Sequence, residues 1–388
     1  MAEALTWFFV FFHQEFRRGN LEAFQTLMGL SLAHFFGCYN PKQLADFLGI
    51  PHQRLYEHLK AFSLYSLKAI LLKFMVHQAV ERLKPVLNQS AATQSRAQIT
   101  LSGDNSVIDR LGRLLRCTYS WYSGRWKQVV NGQDLLGIVL TIQGVAIPLH
   151  LLFCAKQGRT NTNKPDLLVA MFRQLKEAFA REGVDLTAFP ITLDSWFVSQ
   201  ELRHRLQQLG FKKIVLAGKG SYTFTIGAQK HLASAWKKIL PMRVDQWGID
   251  VPALRVRADS PTFGKVALFF FQKSTTRSYY LIDFSQPALR GAEIWHIWKP
   301  HQVIEQFWKI LKSLLHIKEM QLPGDGLYTA LLIKVIAYLL ALRWKAQKVF
   351  SKLTLTQLIR KISREEDLKA LLSEHFHQHP LLTGINTS

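Results

Sequence analysis

The sequence predicts a mixed α/β protein: a helical amino-terminal region, then a strand-rich body with helices on its faces. Three observations carry that prediction. Residues 1–88 space their apolar side chains with a helical period, whereas from Ile99 onward short apolar runs end at turn signals. Those runs come first strand after strand, then strand alternating with helix, and residues 220–292 interrupt the alternation with further strand-like runs. With 388 residues, 48% of them hydrophobic and 12% aromatic, the chain can bury the sizeable core such an arrangement needs, over two or three domains.

Residues 1–95 are expected to form a helical DNA-binding domain, and Pro41–Phe62 within them has helix–turn–helix spacing. Leu44, Ala45 and Leu48 give a first helix its apolar face, Gly49 permits a sharp turn, and Leu55 and Leu59 anchor a second helix. The other face of that second helix carries His52, Gln53, Arg54 and Tyr56. In such motifs the second helix lies in the DNA major groove, where Gln and Arg read base edges. Gln53 and Arg54 are therefore candidate DNA contacts. Asn88–Gln98 is polar and aperiodic and reads as a linker.

The body divides into 96–219, the insertion 220–292, and 293–350, with a helical segment over 351–388. Ile99–Ser102 is a short strand ending at Asp104, and Leu135–Gln143 and Ala146–Phe153 are strands joined by a Gly144 turn. Asn163 caps a helix with Pro165 in its first turn, an apolar stripe of Leu168, Met171, Leu175 and Phe179, and Gly183 at its end. Phe189–Leu193 is a strand ending at Asp194, Ser199–Leu209 a helix closed by Gly210, and Ile214–Ala217 another strand. Antiparallel strands followed by alternating strands and helices resemble the order of an RNase H-like mixed sheet flanked by helices. Leu254–Val256, Val266–Phe271 and Tyr279–Ile282 mark the β-rich insertion, and helices over Pro300–Ile317 and Tyr328–Lys348 follow.

Charge points to the partner. Forty-nine Lys and Arg against 27 Asp and Glu leave +22, and the pI is near 10.0. The excess is +3 over 1–95, +8 over 96–219, +5 over 220–298 and +6 over 299–388, a broad basic surface suited to a polyanion such as double-stranded DNA. Arg110, Arg113, Arg116, Arg125 and Lys127 are expected along the DNA path. Cys38, Cys117 and Cys154 form no CxxC pair, which argues against a disulfide framework or zinc site and for a reducing, cytoplasmic setting beside the nucleoid. The apolar run Leu5–Phe12 is too short to span a bilayer and Leu331–Leu342 contains Lys334, so both read as buried helices and no membrane is expected. No dinucleotide fingerprint, phosphate loop or nucleophile elbow is present, so no small-molecule cofactor is expected.

Two aspartates close predicted strands, Asp104 in ITLSGDNS and Asp194 in FPITLDSW, and Glu305 lies on a later helix. Either Asp alone reads equally well as a turn or cap residue. Side by side at one sheet edge, with a third carboxylate above them, they become hard oxygen ligands for two Mg²⁺, with Mn²⁺ able to substitute. On a helical wheel Trp298, His301, Glu305 and Lys312 fall within roughly 60°, opposite Ile304, Phe307, Leu311 and Leu314. That polar face, with Lys309 beside it, would hold a DNA backbone.

The spacing Trp298-x2-His301-x3-Glu305-x6-Lys312 resembles the Y-x2-R-x3-E-x6-K signature of the DDE transposases of bacterial insertion sequences, family four and its relatives. Asp104-Asn105-Ser106 and Asp194-Ser195-Trp196-Phe197 resemble that group's first and second catalytic motifs, and a β-rich insertion before the Glu is typical of it. The likeness runs from about Ile99 to Lys348. It implies that Asp104, Asp194 and Glu305 bind two Mg²⁺ and catalyse hydrolysis at transposon ends, then strand transfer into target DNA, through hairpin ends. Lys312 would touch DNA phosphate, and Lys219 stands where the group often carries a basic residue. Trp298 and His301 depart from the group's Tyr and Arg. In the insertion, Trp236 and Trp247 are candidates to stack a flipped base. A homodimer is expected, because paired ends need two active sites. The alternatives are a transposase-derived DNA-binding regulator and an RNase H-like nuclease or resolvase.

Overall fold

A computed structural model describes residues 8, 10–12, 21–48, 51–60, 63–89, 98–109, 115–124, 126–157, 160–161, 163–243, 249–274, 277–324 and 326–364. The helices are α1 (Leu21–Ala33), α2 (Pro41–Leu48), α3 (His52–Lys60), α4 (Leu64–Leu87), α5 (Lys164–Arg181), α6 (Gln200–Gln208), α7 (Ala233–Ile239), α8 (Gly291–Trp298), α9 (Gln302–Ser313), α10 (Gly326–Lys345) and α11 (Leu355–Arg364). The strands are β1 (Thr100–Asp109), β2 (Tyr119–Ser123), β3 (Gln128–Ile142), β4 (Val145–Phe153), β5 (Lys156–Gln157), β6 (Thr160–Asn161), β7 (Ile191–Leu193), β8 (Ile214–Ala217), β9 (Thr223–Ile226), β10 (Gln229–Leu232), β11 (Ala253–Ser260), β12 (Gly264–Ser274) and β13 (Arg277–Asp283). They fall into two compact units: residues 1–74, 107–133 and 307–388, and residues 75–106 and 134–306.

The first unit is largely helical. Leu44, Ala45, Leu55 and Leu59 are buried, as the helix–turn–helix spacing predicts, and Thr26 Oγ1 lies 2.8 Å from His58 Nδ1, tying α3 to α1. Gly49 lies outside the described residues. The apolar run around Lys334 is α10, long and apolar enough to cross a membrane, yet 89% of that window is buried inside the protein. Lys334 is itself fully buried, with Nζ 2.6 Å from His34 Nε2 and donating to the Tyr39 carbonyl at 2.9 Å. Because a buried cation survives only with partners of this kind, α10 is a core helix. β2 pairs antiparallel with the start of β3, from Tyr119↔Gly132 to Ser123↔Gln128. That hairpin was not legible, since exposed residues such as Tyr122 and Val129 break any apolar alternation.

The second unit is built on a mixed sheet with strand order β10-β9-β11-β12-β13-β8-β7-β1-β3, with β4 also on β3. β3 and β4 are antiparallel, whereas β1, β7 and β8 run parallel to one another. The β-rich stretch adds to the same sheet: β13 pairs antiparallel with β8 (Ile282↔Leu216) and extends it. Its middle strand reads VALFFF without polar alternation and is buried throughout that run, as befits a strand covered on both faces. One expectation needs correction: the helix expected over Pro300–Ile317 is shorter, running Gln302–Ser313. Pro300 offers no N–H and crowds the preceding turn, so α8 stops at Trp298, a 3₁₀ turn spans Lys299–His301, and α9 starts at Gln302.

Candidate functional site

Strand register brings two of the acids together. The parallel ladder pairs Leu101↔Ile191, Ser102↔Thr192 and Gly103↔Leu193, so the next positions are Asp104 and Asp194. Adjacent strands lie about 4.8 Å apart, so these two backbones are close neighbours at one edge. β1 does not end at Asp104, as its sequence suggests, but continues to Asp109; it is β7 that stops. Alternation decides the face. Gly103 faces α5, since a Cβ there would meet Leu193 Cδ2 at 2.5 Å and Leu168 Cδ1 at 3.3 Å. Ser102 and Thr192 face the other way, Oγ to Oγ1 at 2.9 Å. Asp104 follows Ser102 by two, and Asp194 keeps an extended backbone (φ −69°, ψ 163°), so both continue on that face.

The segment carrying Glu305 lies on the same face and advances with the strands. Thr100 Oγ1 donates to the Ile297 carbonyl at 3.5 Å, and one pleat further along Thr192 Oγ1 is 2.9 Å from His301 Nδ1. Two strand residues span about 6.6 Å and four helical residues about 6 Å, so the next step brings Glu305 level with Asp104 and Asp194. Glu305 and Asp194 are exposed and Asp104 is half-buried. Among the described residues, no three His, Cys, Asp or Glu side chains are gathered closely enough to hold a metal ion. The fit to Mg²⁺ lies in donor chemistry and position: carboxylate oxygens only, on an accessible edge, with the Asp194 side chain making no cap bond to the turn it opens.

No protein-family profile and no curated protein matches the chain. Among solved structures it is similar to a piggyBac transposase. That cryo-EM synaptic complex with hairpin DNA aligns at a TM-score of 0.47 and 13% identity, covering 95% of this chain and 76% of that one.

Several expected DNA contacts are corrected by burial. His301 is only 7% exposed, and its ring stacks on Trp298 at 4.3 Å. Burial pushes its pKa down to about 4, so it is a neutral core imidazole rather than a phosphate-binding cation. Trp298, half-buried against Val215, Phe269 and Trp295, serves the same packing. Trp236 is 3% exposed and its indole N–H donates to the Phe224 carbonyl at 2.9 Å, so it stacks no base. Trp247, Arg110, Arg113 and Arg125 lie outside the described residues. In the first unit, Gln53, Lys127, Lys309 and Arg116 are exposed and Arg54 and Lys312 half-buried. In the second, Lys219 is fixed just past β8: Gly218 packs its backbone on the Tyr280 ring, where a Cβ would come within 2.0 Å, and the Tyr280 hydroxyl donates to the Lys219 carbonyl at 2.6 Å.

Neutral His301 has a pH consequence. Unfolded His titrates near 6.5, so the unfolded chain takes up this proton first. The contribution is complete above about pH 6.5 and is lost as pH falls toward 4, about 3 kcal/mol in all. Urea midpoints measured between pH 7 and 4 should fall more steeply for the wild type than for His301→Asn. Equal slopes would assign the loss to other groups.

A trio around a buried carboxylate on the α5 side was missed. Asp134 is fully buried; its Oδ1 accepts from Asn105 Nδ2 at 2.8 Å, and its Oδ2 lies 2.5 Å from Lys164 Nζ. Asn105 in turn donates its backbone N–H to Asp104 Oδ1 at 2.7 Å, so the trio steadies the residue that presents the first acid. One signal was available. Lys164 opens α5, where the helix dipole disfavours a cation, so it needed a carboxylate partner.

Proposed function

We propose that this chain is a DDE-type transposase with an RNase H-like core, which cuts DNA at transposon ends and joins the freed 3′-hydroxyl to target DNA. The observation that supports this reading is the shared register of Asp104 and Asp194 on parallel strands, with the Glu305 segment advancing along the same face. Mg²⁺, or Mn²⁺ in its place, would be held by Asp104, Asp194 and Glu305. Such ions supply Lewis acidity at a phosphodiester and at the attacking oxygen. The protein's own part is to orient. The Asn105–Asp134–Lys164 trio fixes the base of the first carboxylate, and the His301–Thr192 contact anchors the segment leading to the third. Lys219 and the +22 net charge would hold the DNA backbone, and two copies would act on paired ends.

The test is incubation with DNA carrying the segments that flank the chain's own reading frame, with Mg²⁺ or with EDTA. Mg²⁺-dependent nicking at the ends, followed by joining to a second duplex, is expected. Binding without cutting would favour a DNA-holding regulator, and cutting without joining a nuclease.

A further inference from the structure

Trp196 is 63% exposed, the most exposed of the described tryptophans: Trp121, Trp236, Trp295, Trp308 and Trp344 are all buried and Trp126 is 49% exposed. The chain makes this exposure locally. Asp194 opens a 3₁₀ turn over Ser195–Phe197, Phe197 is 1% exposed, and Ser199 caps α6 by accepting the Leu202 N–H at 3.1 Å. The turn is therefore anchored on both sides of a side chain that is turned out. Two ammonium groups stand by its ring, Lys164 Nζ at 5.6 Å and Lys219 Nζ at 5.7 Å from the centroid. They differ in their partners. Lys164 is committed to buried Asp134, whereas Lys219 is held through its backbone carbonyl, which accepts from the Tyr280 hydroxyl, and its ammonium stands by the Trp196 ring.

We propose that Trp196 is a stacking platform for an unpaired nucleobase of DNA, with the Lys219 ammonium moving from the ring to the adjoining phosphate when the base arrives. An aromatic face accepts any base, and a cation beside it neutralises the backbone of the same nucleotide. The platform stands two residues from Asp194, so a nucleotide stacked there would lie next to the acid edge. This inference rests on the transposase reading for its purpose, but its test does not require cleavage.

The experiment compares a blunt duplex with the same duplex carrying a short 3′ oligothymidine overhang. Binding is followed by fluorescence anisotropy in EDTA across a salt series, with the full chain. The wild type should prefer the overhang, Trp196→Ala should lose roughly ten-fold of that preference while binding blunt DNA as before, and Trp196→Phe should keep most of it. Lys219→Ala should reduce the salt slope on the overhang by about one. Trp196→Ala with an undiminished preference, a wild type with none, or an unchanged slope for Lys219→Ala would overturn the proposal. Because no metal is present, stacking can fail while cutting at the ends succeeds, and the reverse.

Discussion

Asp194→Asn is expected to cut DNA at about a thousandth of the wild-type rate or less, because a metal-bound carboxylate contributes several kcal/mol to the transition state and each 1.36 kcal/mol is a factor of ten. Asp104→Asn and Glu305→Gln should fall equally far. Each substitution keeps size and one oxygen but removes the charge that draws a divalent cation. Neither Asp194 nor Glu305 is buried, so these two variants should melt like the wild type and bind DNA with the same salt dependence. The check is an initial rate of strand cleavage in Mg²⁺ beside a binding isotherm in EDTA. A variant that binds normally and still cuts near the wild-type rate would remove its residue from the site.

Lys164→Ala is expected to destabilise the protein by about 3–5 kcal/mol, an effect large enough to threaten folding, because it leaves the Asp134 carboxylate buried and uncompensated. Asp134 has no exposed surface and Lys164 only 15% of its side chain, so water cannot take the place of the lost ammonium. Asp134→Asn should cost less, since Lys164 can turn toward solvent and an amide oxygen still accepts from Asn105. Pairing Lys164→Met with Asp134→Leu should recover much of the loss. Urea midpoints of the singles and the double close the cycle. Additive losses would mean that the 2.5 Å contact carries no coupling.

Where a residue's role depends on local pattern, the sequence was readable. The apolar spacing of Leu44, Ala45, Leu55 and Leu59 gave α2 and α3, and the stripe Leu168, Met171, Leu175 and Phe179 gave α5, because burial of one helical face fixes spacing directly. Asp194 was legible as a strand-end acid, whereas Asp104, expected to close its strand, lies within β1; their neighbouring register followed from the order of strands and helices. What could not be read depends on long-range pairing. β13 joins β8 across more than sixty residues of chain, so the β-rich stretch extends the core sheet, a pairing no local pattern announces. The wheel that placed His301 beside Glu305 assumed one unbroken helix. Pro300 breaks it, and the 3₁₀ turn rotates His301 inward onto Thr192. Trp236 and Trp196 show the same limit from the other side: both are tryptophans in polar surroundings, and only packing says which is buried.

The proposal that Asp104, Asp194 and Glu305 meet around shared cations can be tested without DNA. Fe²⁺ substituted for Mg²⁺, with ascorbate and peroxide, cuts a polypeptide beside the side chains that bind the ion. Fragments ending near residues 104, 194 and 305 are expected together, and all three should disappear in Asp194→Asn. Cuts near Asp104 and Asp194 with none near Glu305, or cuts that persist in the variant, would contradict a three-carboxylate site.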